Sequence, residues 1–230
     1  MSDTGKQLVD AKLEELRPTQ MTVGYDEVAF KRRIWSAQTS EEKSRFIFEH
    51  PLPAVLGPNG HYYILDGHHL SRALLDEGVD KVRLSLVDDL SHLDPEKFWQ
   101  VLERRNLIYP YVYGQHRDVE EMPKTLGELA DDPFRSLAAQ VRRACEYGKD
   151  STPFAEFQWA DYLRVHISFS TLRAYPERAF QYARKLLRKR ASTYGGSAGT
   201  SSISSRVGRP RCHDSLRSCD ECDARAMQMG

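Results

Sequence analysis

Apolar and polar positions along the chain switch between the two-residue period of strands and the three- to four-residue spacing of helices. Two apolar runs, residues 54–56 and 62–65, flank Gly57-Pro58-Asn59-Gly60, where Asn-Gly suits positive backbone angles. This pattern predicts a β-hairpin. A further alternating run, residues 82–86, predicts a half-exposed strand. The pattern therefore favours a sheet with helices packed against it.

Helical spacing and capping residues predict helices on both sides of these strands. The predicted helices cover residues 26–38, 40–49, 95–106, 133–147, 153–167 and 176–190, with a shorter one from about His69 to a C-terminal cap at Gly78. Capping boxes are predicted at Thr39-Ser40-Glu41-Glu42 and Thr125-Leu126-Gly127-Glu128. Asp94-Pro95, Asp132-Pro133 and Thr152-Pro153 each place proline directly after a capping residue, which is typical of a helix start.

These elements predict an α+β fold, a small mixed sheet with packed helices, followed by a helical extension. We expect a core domain over residues 1–94 and a helical extension over 95–190 that packs on it. Residues 191–230 are rich in serine and glycine and show no apolar period. We expect that tail to be disordered.

Composition limits the class of protein. With 230 residues and 40% hydrophobic content, the chain can bury one good core, or a core plus an extension. Its 33 basic residues balance 33 acidic ones, so DNA binding would need a local basic patch, such as Lys31-Arg32-Arg33 or residues 184–190. No apolar run is long enough to cross a bilayer. We expect a soluble, cytoplasmic protein with no membrane partner.

The four cysteines do not form a disulfide framework. Cys145 shares a helical stripe with apolar residues, which favours a buried hydrophobic role over a reactive thiol. A zinc site in the tail would use Cys212, His213, Cys219 and Cys222. Because almost no apolar residues surround them, we expect no zinc.

The turn Asp66-Gly67-His68-His69, between a predicted strand and a predicted helix, carries candidate chemistry. A helix start presents unpaired N–H groups and the positive end of its dipole, which favour a phosphate, and Gly67 allows close approach. His68, His69 and Arg72 could add donors and charge. Asp66 could orient an imidazole, bind Mg²⁺ or accept a proton from a hydroxyl.

A structural role for the same turn stays open. Asp66 could simply cap the helix, and the two histidines could simply pack. Neighbouring histidines on a helix point about 100° apart, so they do not form a zinc pair. The aromatic stretch at residues 108–117 is also open to two interpretations, as a wall of a ligand pocket or as a loop packed on the core.

Two segments together resemble the ParB/sulfiredoxin superfamily, and within it the group called ParB-like nucleases. They are Leu16-Arg17-Pro18-Thr19-Gln20 and, further along, Ile64-Leu65-Asp66-Gly67-His68-His69-Leu70-Ser71-Arg72-Ala73-Leu74. The resemblance implies a small α+β fold that binds nucleotide phosphates at the second segment, with Gln20 positioning a substrate. Reactions differ among the members, so the resemblance indicates the site more firmly than the chemistry.

Departures from the superfamily motifs narrow the choice of reaction. His68 stands where sulfiredoxins have cysteine, which excludes that reaction. Gln20 stands where serine-kinase relatives have a glutamate base, and an amide cannot take a proton at neutral pH. Leu70 replaces the usual arginine after the histidines, and Arg72 projects from a different side of the helix. No helix-turn-helix DNA reader is evident in the later helices.

We therefore carry two functional hypotheses. The first is an enzyme, a nuclease-like or phosphoryl-transferring protein that acts on a nucleotide or nucleic-acid phosphate. In it Asp66, His68 and His69 are catalytic, while Gly67, the two histidines, Arg72 and Gln20 bind the ligand, with Mg²⁺ as a cofactor. The alternative is a non-catalytic nucleotide-gated or DNA-binding module.

Overall fold

The computed structural model describes residues 7–144 and 155–194. Cys145, the Thr152-Pro153 pair and residues 195–230 of the serine-rich tail, including its candidate zinc ligands, lie outside these residues, whereas residues 191–194, which we expected to be disordered, belong to a helix. The described chain divides into two compact units, the first ending at Asp132 and the second beginning at Pro133. The first unit contains both strands and helices, and the second is helical.

The strands of the first unit are β1 Gln7–Lys12, β2 Arg17–Pro18, β3 Thr22–Val23, β4 Leu52–Leu56, β5 Tyr62–Ile64, β6 Lys81–Asp89, β7 Tyr111–Val112, β8 Gln115–His116 and β9 Ala130–Asp131. Its helices are α1 Tyr25–Ser36, α2 Ser40–Glu49, α3 His68–Asp76 and α4 Pro95–Arg104. The helices of the second unit are α5 Pro133–Arg143, α6 Ala155–His166, α7 Phe169–Ala174 and α8 Pro176–Tyr194.

A mixed five-stranded sheet in the order β1-β6-β4-β5-β2 forms the centre of the first unit. The pairs β1–β6 and β4–β5 are antiparallel, whereas β4–β6 and β2–β5 are parallel. The predicted hairpin is confirmed as β4 and β5, and its Asn59 and Gly60 have φ of 58° and 74°. The predicted α+β fold with a mixed sheet is likewise confirmed.

The sheet is covered on both faces, because successive residues of a strand point to opposite sides. Ala54 of β4 is buried in a core with Ile64, Leu74 and Leu84. Its neighbour Val55 is buried in a second core with residues of α4 and the segment after it, chiefly Phe98, Leu102 and Ile108. Since α4 covers one face of the sheet, the first unit continues to Asp132, beyond the boundary at 94 that the sequence suggested.

The second unit has its own core. The predicted apolar stripe of α5, with Phe134, Leu137, Ala138 and Val141, is buried there. Helices α6 and α8 contribute small and branched side chains at helical spacing, including Ala160, Leu163, Ala183 and Leu187. Helix α7, only six residues long, was not predicted, because one and a half turns give too little periodicity to detect.

The two predicted capping boxes have different outcomes. Thr39 caps α2 as predicted: Glu42 N–H donates to its hydroxyl, and Thr39 N–H donates to Glu42 Oε2 at 2.7 Å. The Thr125 box is wrong, because Thr125 makes no side-chain cap. Glu128 Oε2 instead accepts a hydrogen bond from Lys124 N–H at 2.8 Å, one residue earlier. Asp94 caps α4 as predicted, by accepting from Lys97 N–H at 2.9 Å.

These two threonines provide a matched test of the fold. Replacement Thr39→Ala removes a working cap, so we expect a loss of about 1 kcal/mol in the free energy of unfolding, measured by urea denaturation. Thr125→Ala removes the same atoms where no cap forms, and should change that free energy by less than about 0.5 kcal/mol. Equal losses in the two variants would contradict the assignment.

Candidate functional site

Residues 17–23, here called the strap, bring the two sequence motifs together. The strap is extended and pairs in turn with three segments that are distant in the chain. Its parallel partners are Tyr63 and Ile64 of β5 opposite Arg17 and Pro18, Tyr109 opposite Gln20, and Ala130 and Asp131 of β9 opposite Thr22 and Val23. Because β5 leads directly into the Asp66-Gly67 turn, the middle of the strap lies beside the start of α3.

The turn itself is tightly built. Asp66 is exposed, and its Oδ1 accepts a hydrogen bond from Gly67 N–H at 2.7 Å. Gly67 has φ of 78° and ψ of 20°, in the left-handed region that strains residues with a side chain. A Cβ there would lie 2.7 Å from Leu52 Cδ2. Glycine therefore allows the chain to pass directly from β5 into α3.

Both histidines point inward and act as hydrogen-bond acceptors. His68 is 2% exposed, and its Nε2 accepts from the backbone N–H of Thr19 at 3.1 Å. His69 is 6% exposed, and its Nε2 accepts from the backbone N–H of Gly24 at 2.9 Å. A ring nitrogen that accepts is unprotonated, so each imidazole is neutral with its proton on Nδ1. The histidines thus fasten both ends of the segment 19–24 to the start of α3.

Arg72 lies one turn into α3, and its guanidinium is engaged by the protein. Its Nε donates to Asp76 Oδ1 at 2.9 Å. Its Nη1 lies within hydrogen-bond distance of the carbonyls of Leu126, Gly127 and Leu129. Burial lowers the pKa of Arg72, but the hydrogen bonds and charges of Asp76 and Tyr25 outweigh it, so the net pKa is raised. Arg72 thereby holds the 126–129 segment against α3.

Gln20 lies in the middle of the strap. It is 4% exposed, and its side-chain Oε1 has no hydrogen-bond donor within the described residues. Thr19, directly before it, contacts both motifs: its N–H donates to His68, and its hydroxyl donates to the Ile64 carbonyl at 2.9 Å. Gln20 therefore lies one residue along the strap from the contact between Thr19 and His68.

Helix α1 also begins at this site, a feature that the sequence analysis missed. Asp131 Oδ1 accepts from Tyr25 N–H at 2.8 Å, which satisfies a first-turn donor of α1. The Tyr25 hydroxyl donates to the Leu129 carbonyl at 3.0 Å. The carboxylate comes from 106 residues away, so no local capping pattern could have revealed it.

The aromatic stretch forms a small hairpin beside the strap. Strands β7 and β8 are joined by Tyr113 and Gly114, both with positive φ as a tight two-residue hairpin turn requires. The rings of Tyr109 and Tyr111 are 4.8 Å apart, and Tyr109 N–H donates to the Thr19 carbonyl at 2.9 Å. Tyr113 is 47% exposed, and its hydroxyl donates to the Asp131 carbonyl at 3.1 Å.

The basic cluster of α1 does not form the surface considered from the sequence. Lys31 is 1% exposed and pairs with the equally buried Glu27 at 3.8 Å. It lies on the same helical face as Val28 and Trp35, which are buried too. Arg32 forms an ion pair with Glu77 at 2.7 Å, and Arg33 is exposed. In α8, Lys185 and Arg188 are exposed.

Two general searches cover the described residues only. Within residues 7–144 and 155–194, no three His, Cys, Asp or Glu side chains come together as a metal-binding group. Over the same residues, none of the helices combines the length and the apolar content that a membrane crossing needs.

The mixed five-stranded sheet and the glycine turn at the start of α3 define an α+β protein. The sequence model of the family described as "Putative ParB-like nuclease" matches residues 9–165. This chain belongs to that family, as its motifs predicted.

Solved structures give further likenesses. A protein of Agrobacterium tumefaciens, known from its crystal structure, is 40% identical, with a TM-score of 0.75 over 82% of this chain and 95% of that one. The C-terminally truncated chromosome-partitioning protein ParB from Caulobacter crescentus, complexed with CTP-γ-S, is 13% identical over 83% of this chain and 99% of that one, with a TM-score of 0.29. None of the curated proteins matches the chain.

Substitution at His69 tests the acceptor role. His69→Ala leaves the buried Gly24 N–H without an acceptor, so we expect a loss of about 2 kcal/mol in unfolding free energy. His69→Gln places an amide oxygen near the position of Nε2 and should restore most of that loss. The exposed His92 serves as control, and His92→Ala should cost less than about 0.5 kcal/mol.

Nitrogen-15 NMR of the imidazole rings provides a second test of the hydrogen bonds to His68 and His69. In the unmutated protein at neutral pH, the rings of His68 and His69 should both carry their proton on Nδ1. A proton on Nε2 of either ring would contradict the acceptor geometry.

Proposed function

We propose that this ParB-like protein binds the phosphate of a nucleotide or nucleic acid at the Asp66-Gly67 turn. We further propose that it cleaves a phosphodiester bond or transfers a phosphoryl group there. The observation that carries the proposal is the left-handed Gly67 at the start of α3. Helix geometry leaves the first N–H groups of α3 without acceptors inside the helix, and the helix dipole makes this end positive. A phosphate is the ligand that such a helix start favours.

The inward orientation of the two histidines supports a structural role for their rings and leaves ligand binding to other groups of the turn. Because His68 and His69 each bind a backbone N–H through Nε2, they position the strap against α3 rather than offering those nitrogens to a ligand. Arg72 is likewise occupied by Asp76 and the carbonyls of residues 126–129. The phosphate would therefore be held mainly by backbone N–H groups at the start of α3, with the imidazoles fixing their geometry.

Asp66 is the residue of this turn best placed for catalysis. Its side chain is exposed, and its Oδ1 is held by Gly67 N–H, which orients the carboxylate at the helix start. In phosphodiester cleavage, Asp66 would take a proton from water, the water oxygen would bond to phosphorus, and the bond to the leaving alkoxide would break. Carboxylate oxygens also suit Mg²⁺, so Asp66 is the residue that would hold it. A bound Mg²⁺ would offset the charge of the phosphate.

A non-catalytic binding module is the second candidate. The engagement of both Nε2 atoms favours it, because neither ring offers that nitrogen as a base. In that case the turn would bind a nucleotide without turnover. DNA remains a candidate partner, and its binding should weaken steeply with salt if exposed cations such as Arg33, Lys185 and Arg188 carry it.

Two glycines allow the phosphate site to be tested. Gly67 and Gly78 stand at opposite ends of α3 with φ of 78° and 74°, so alanine at either should cost about 1–2 kcal/mol in stability. Only Gly67→Ala crowds the start of α3. We expect it to weaken binding of methyl phosphate, AMP and CTP at least tenfold by calorimetry, while Gly78→Ala binds as the unmutated protein does. Equal affinities in the two variants would place the site elsewhere.

Asp66→Asn separates binding from chemistry. The amide keeps an oxygen for Gly67 N–H but can neither take a proton nor hold Mg²⁺ well. We expect nuclease or phosphoryl-transfer turnover with Mg²⁺ to fall at least 100-fold while nucleotide binding persists. The matched control is Asp88→Asn, because Asp88 Oδ1 accepts from Asp89 N–H in the same way, away from the turn.

The assay would use plasmid DNA, oligonucleotides and labelled nucleotides with the full chain. Turnover that survives Asp66→Asn would remove Asp66 as the catalytic group. If the unmutated protein binds nucleotide but shows no turnover with any substrate, the binding-module hypothesis stands instead.

A further inference from the structure

A cleft of about 420 Å³, here called the α4 cleft, lies between helix α4 and the 3-10 turn Val119–Glu121. Its volume is in the range of known ligand sites. Its apolar lining comes from Pro95, Trp99 and Val119. None of residues 66–72 lines it, so the α4 cleft is separate from the turn at the start of α3.

One face of α4 forms a wall of this cleft. Glu96, Trp99 and Glu103 follow each other at spacings of three and four residues, which place them on the same side of the helix. The tryptophan therefore lies between two carboxylates. Since Glu96 and Glu103 are two helical turns apart, their Cα atoms are separated by roughly 10 Å along the helix.

The ring of Trp99 is held in place by the core beneath α4. It lies perpendicular to the ring of Tyr63, with centroids 5.4 Å apart, and 5.2 Å from that of Phe98. Val119, on the other wall, packs against the same core. Trp99 is only half-buried and lines the cleft, and the indole is the side chain whose face binds cations best.

The second wall is the turn that carries Glu120. Its backbone is fixed by two hydrogen bonds, from Asp118 N–H to Glu121 Oε1 at 3.4 Å and from Met122 N–H to the Val119 carbonyl at 3.0 Å. Both walls are therefore formed by hydrogen-bonded or packed segments. A ligand that binds between such walls loses less free energy to ordering the protein.

The charges that line the α4 cleft are all negative. Glu96, Glu103 and Glu120 line it, and none of its lining residues is a lysine, an arginine or a histidine. Over residues 7–144 and 155–194, these three carboxylates form no ion pair.

Neighbouring cations of the same segment are engaged by other groups. Lys97 pairs with Asp94 at 2.7 Å, and Arg105 pairs with Asp88 at 2.6 Å. Arg104, at the border of the cleft, is directed to the amide oxygen of Gln100 at 3.4 Å. The cleft thus combines an aromatic ring and apolar lining with carboxylates that lack a counter-charge from the described chain.

From this combination we propose that the α4 cleft binds an extended basic peptide segment of a partner protein, with two cationic side chains three residues apart. In a polyproline II segment, residues i and i+3 lie on one face about 9 Å apart, which matches the spacing of Glu96 and Glu103. One cation pairs with each of these carboxylates, and the segment crosses Trp99 between them. Arginine suits the site better than lysine, because its planar guanidinium also stacks on an aromatic ring.

The test is a titration of the full chain with the capped peptide Arg-Pro-Pro-Arg, whose prolines favour this extended conformation. We expect saturable binding with a Kd of about 1 mM or below. The chain has three tryptophans, and proton–nitrogen NMR spectra can follow each indole N–H separately. One indole signal should shift on binding, the same signal that is missing from the spectrum of Trp99→Phe.

Paired glutamate variants test the charges of the cleft. Glu96→Gln combined with Glu103→Gln keeps the shape of both side chains, and should weaken peptide binding at least about fivefold because two ion pairs are lost. The matched control combines Glu41→Gln with Glu49→Gln. These two exposed residues of α2 do not line the cleft, and their replacement changes the net charge equally. The control should bind the peptide as the unmutated protein does.

A second peptide tests the spacing. Capped Arg-Arg-Pro-Pro carries the same charge with adjacent cations, and should bind at least about threefold more weakly because only one carboxylate is matched. Equal affinities for the two peptides would overturn the proposal.

Other outcomes would also overturn it: no binding by the folded protein, binding that does not shift the Trp99 indole, or equal losses in the two paired variants. Tighter binding of spermidine than of Arg-Pro-Pro-Arg would assign the cleft to a small polyamine instead of a protein partner. Gly67→Ala should bind the peptide normally, since the α4 cleft does not depend on the phosphate site.

Discussion

Two hydrogen bonds from backbone N–H groups to imidazole nitrogens determine the geometry of the whole site. They join Thr19 to His68 and Gly24 to His69, across 49 and 45 residues of chain. Both donors and both rings are buried, so each bond left unmade would leave a polar group unpaired inside the protein, at about 1–3 kcal/mol. The strap, the start of α1 and the start of α3 are thereby held in one arrangement. Neighbouring histidines suit this purpose, because successive helix residues point in different directions and can bind two separate donors.

Local sequence signals predicted the parts of the structure that depend on neighbouring residues. The Asn59-Gly60 hairpin, the Thr39 cap and the Asp94-Pro95 helix start all formed, because each needs only a few consecutive residues. The Thr125 box did not form, although its pattern is the same. Glu128 accepts a hydrogen bond from Lys124 N–H instead, and only a three-residue 3-10 helix follows Thr125.

The sequence motifs indicated where the candidate site lies, but not which contacts its side chains make. The sequence analysis singled out residues 16–20 and 64–74 by their resemblance to a family, and the structure pairs Arg17 and Pro18 of the first segment with Tyr63 and Ile64 at the second. The histidines and Arg72 were predicted as ligand-facing donors. In the structure the two rings accept backbone hydrogen bonds, and Arg72 binds carbonyls near residue 127. The sequence could not predict these contacts, because the partners come from parts of the chain that no spacing rule connects to the turn.

Lys31 shows the same limit of sequence patterns. Three consecutive cations suggest an exposed basic surface, yet the helical period places Lys31 in the interior.

Inward-facing and exposed side chains are neighbours at one turn of this structure. Residues 68 and 69 face inward and accept hydrogen bonds from backbone N–H groups, whereas the Asp66 side chain is exposed at the same turn. A change at the inner positions would disturb the fold before it altered the chemistry. A change at the exposed Asp66 side chain would leave those inner contacts in place. Contacts that hold a fold together can in this way be separate from the exposed side chains, which is a physical reason why proteins of one fold can carry out different reactions.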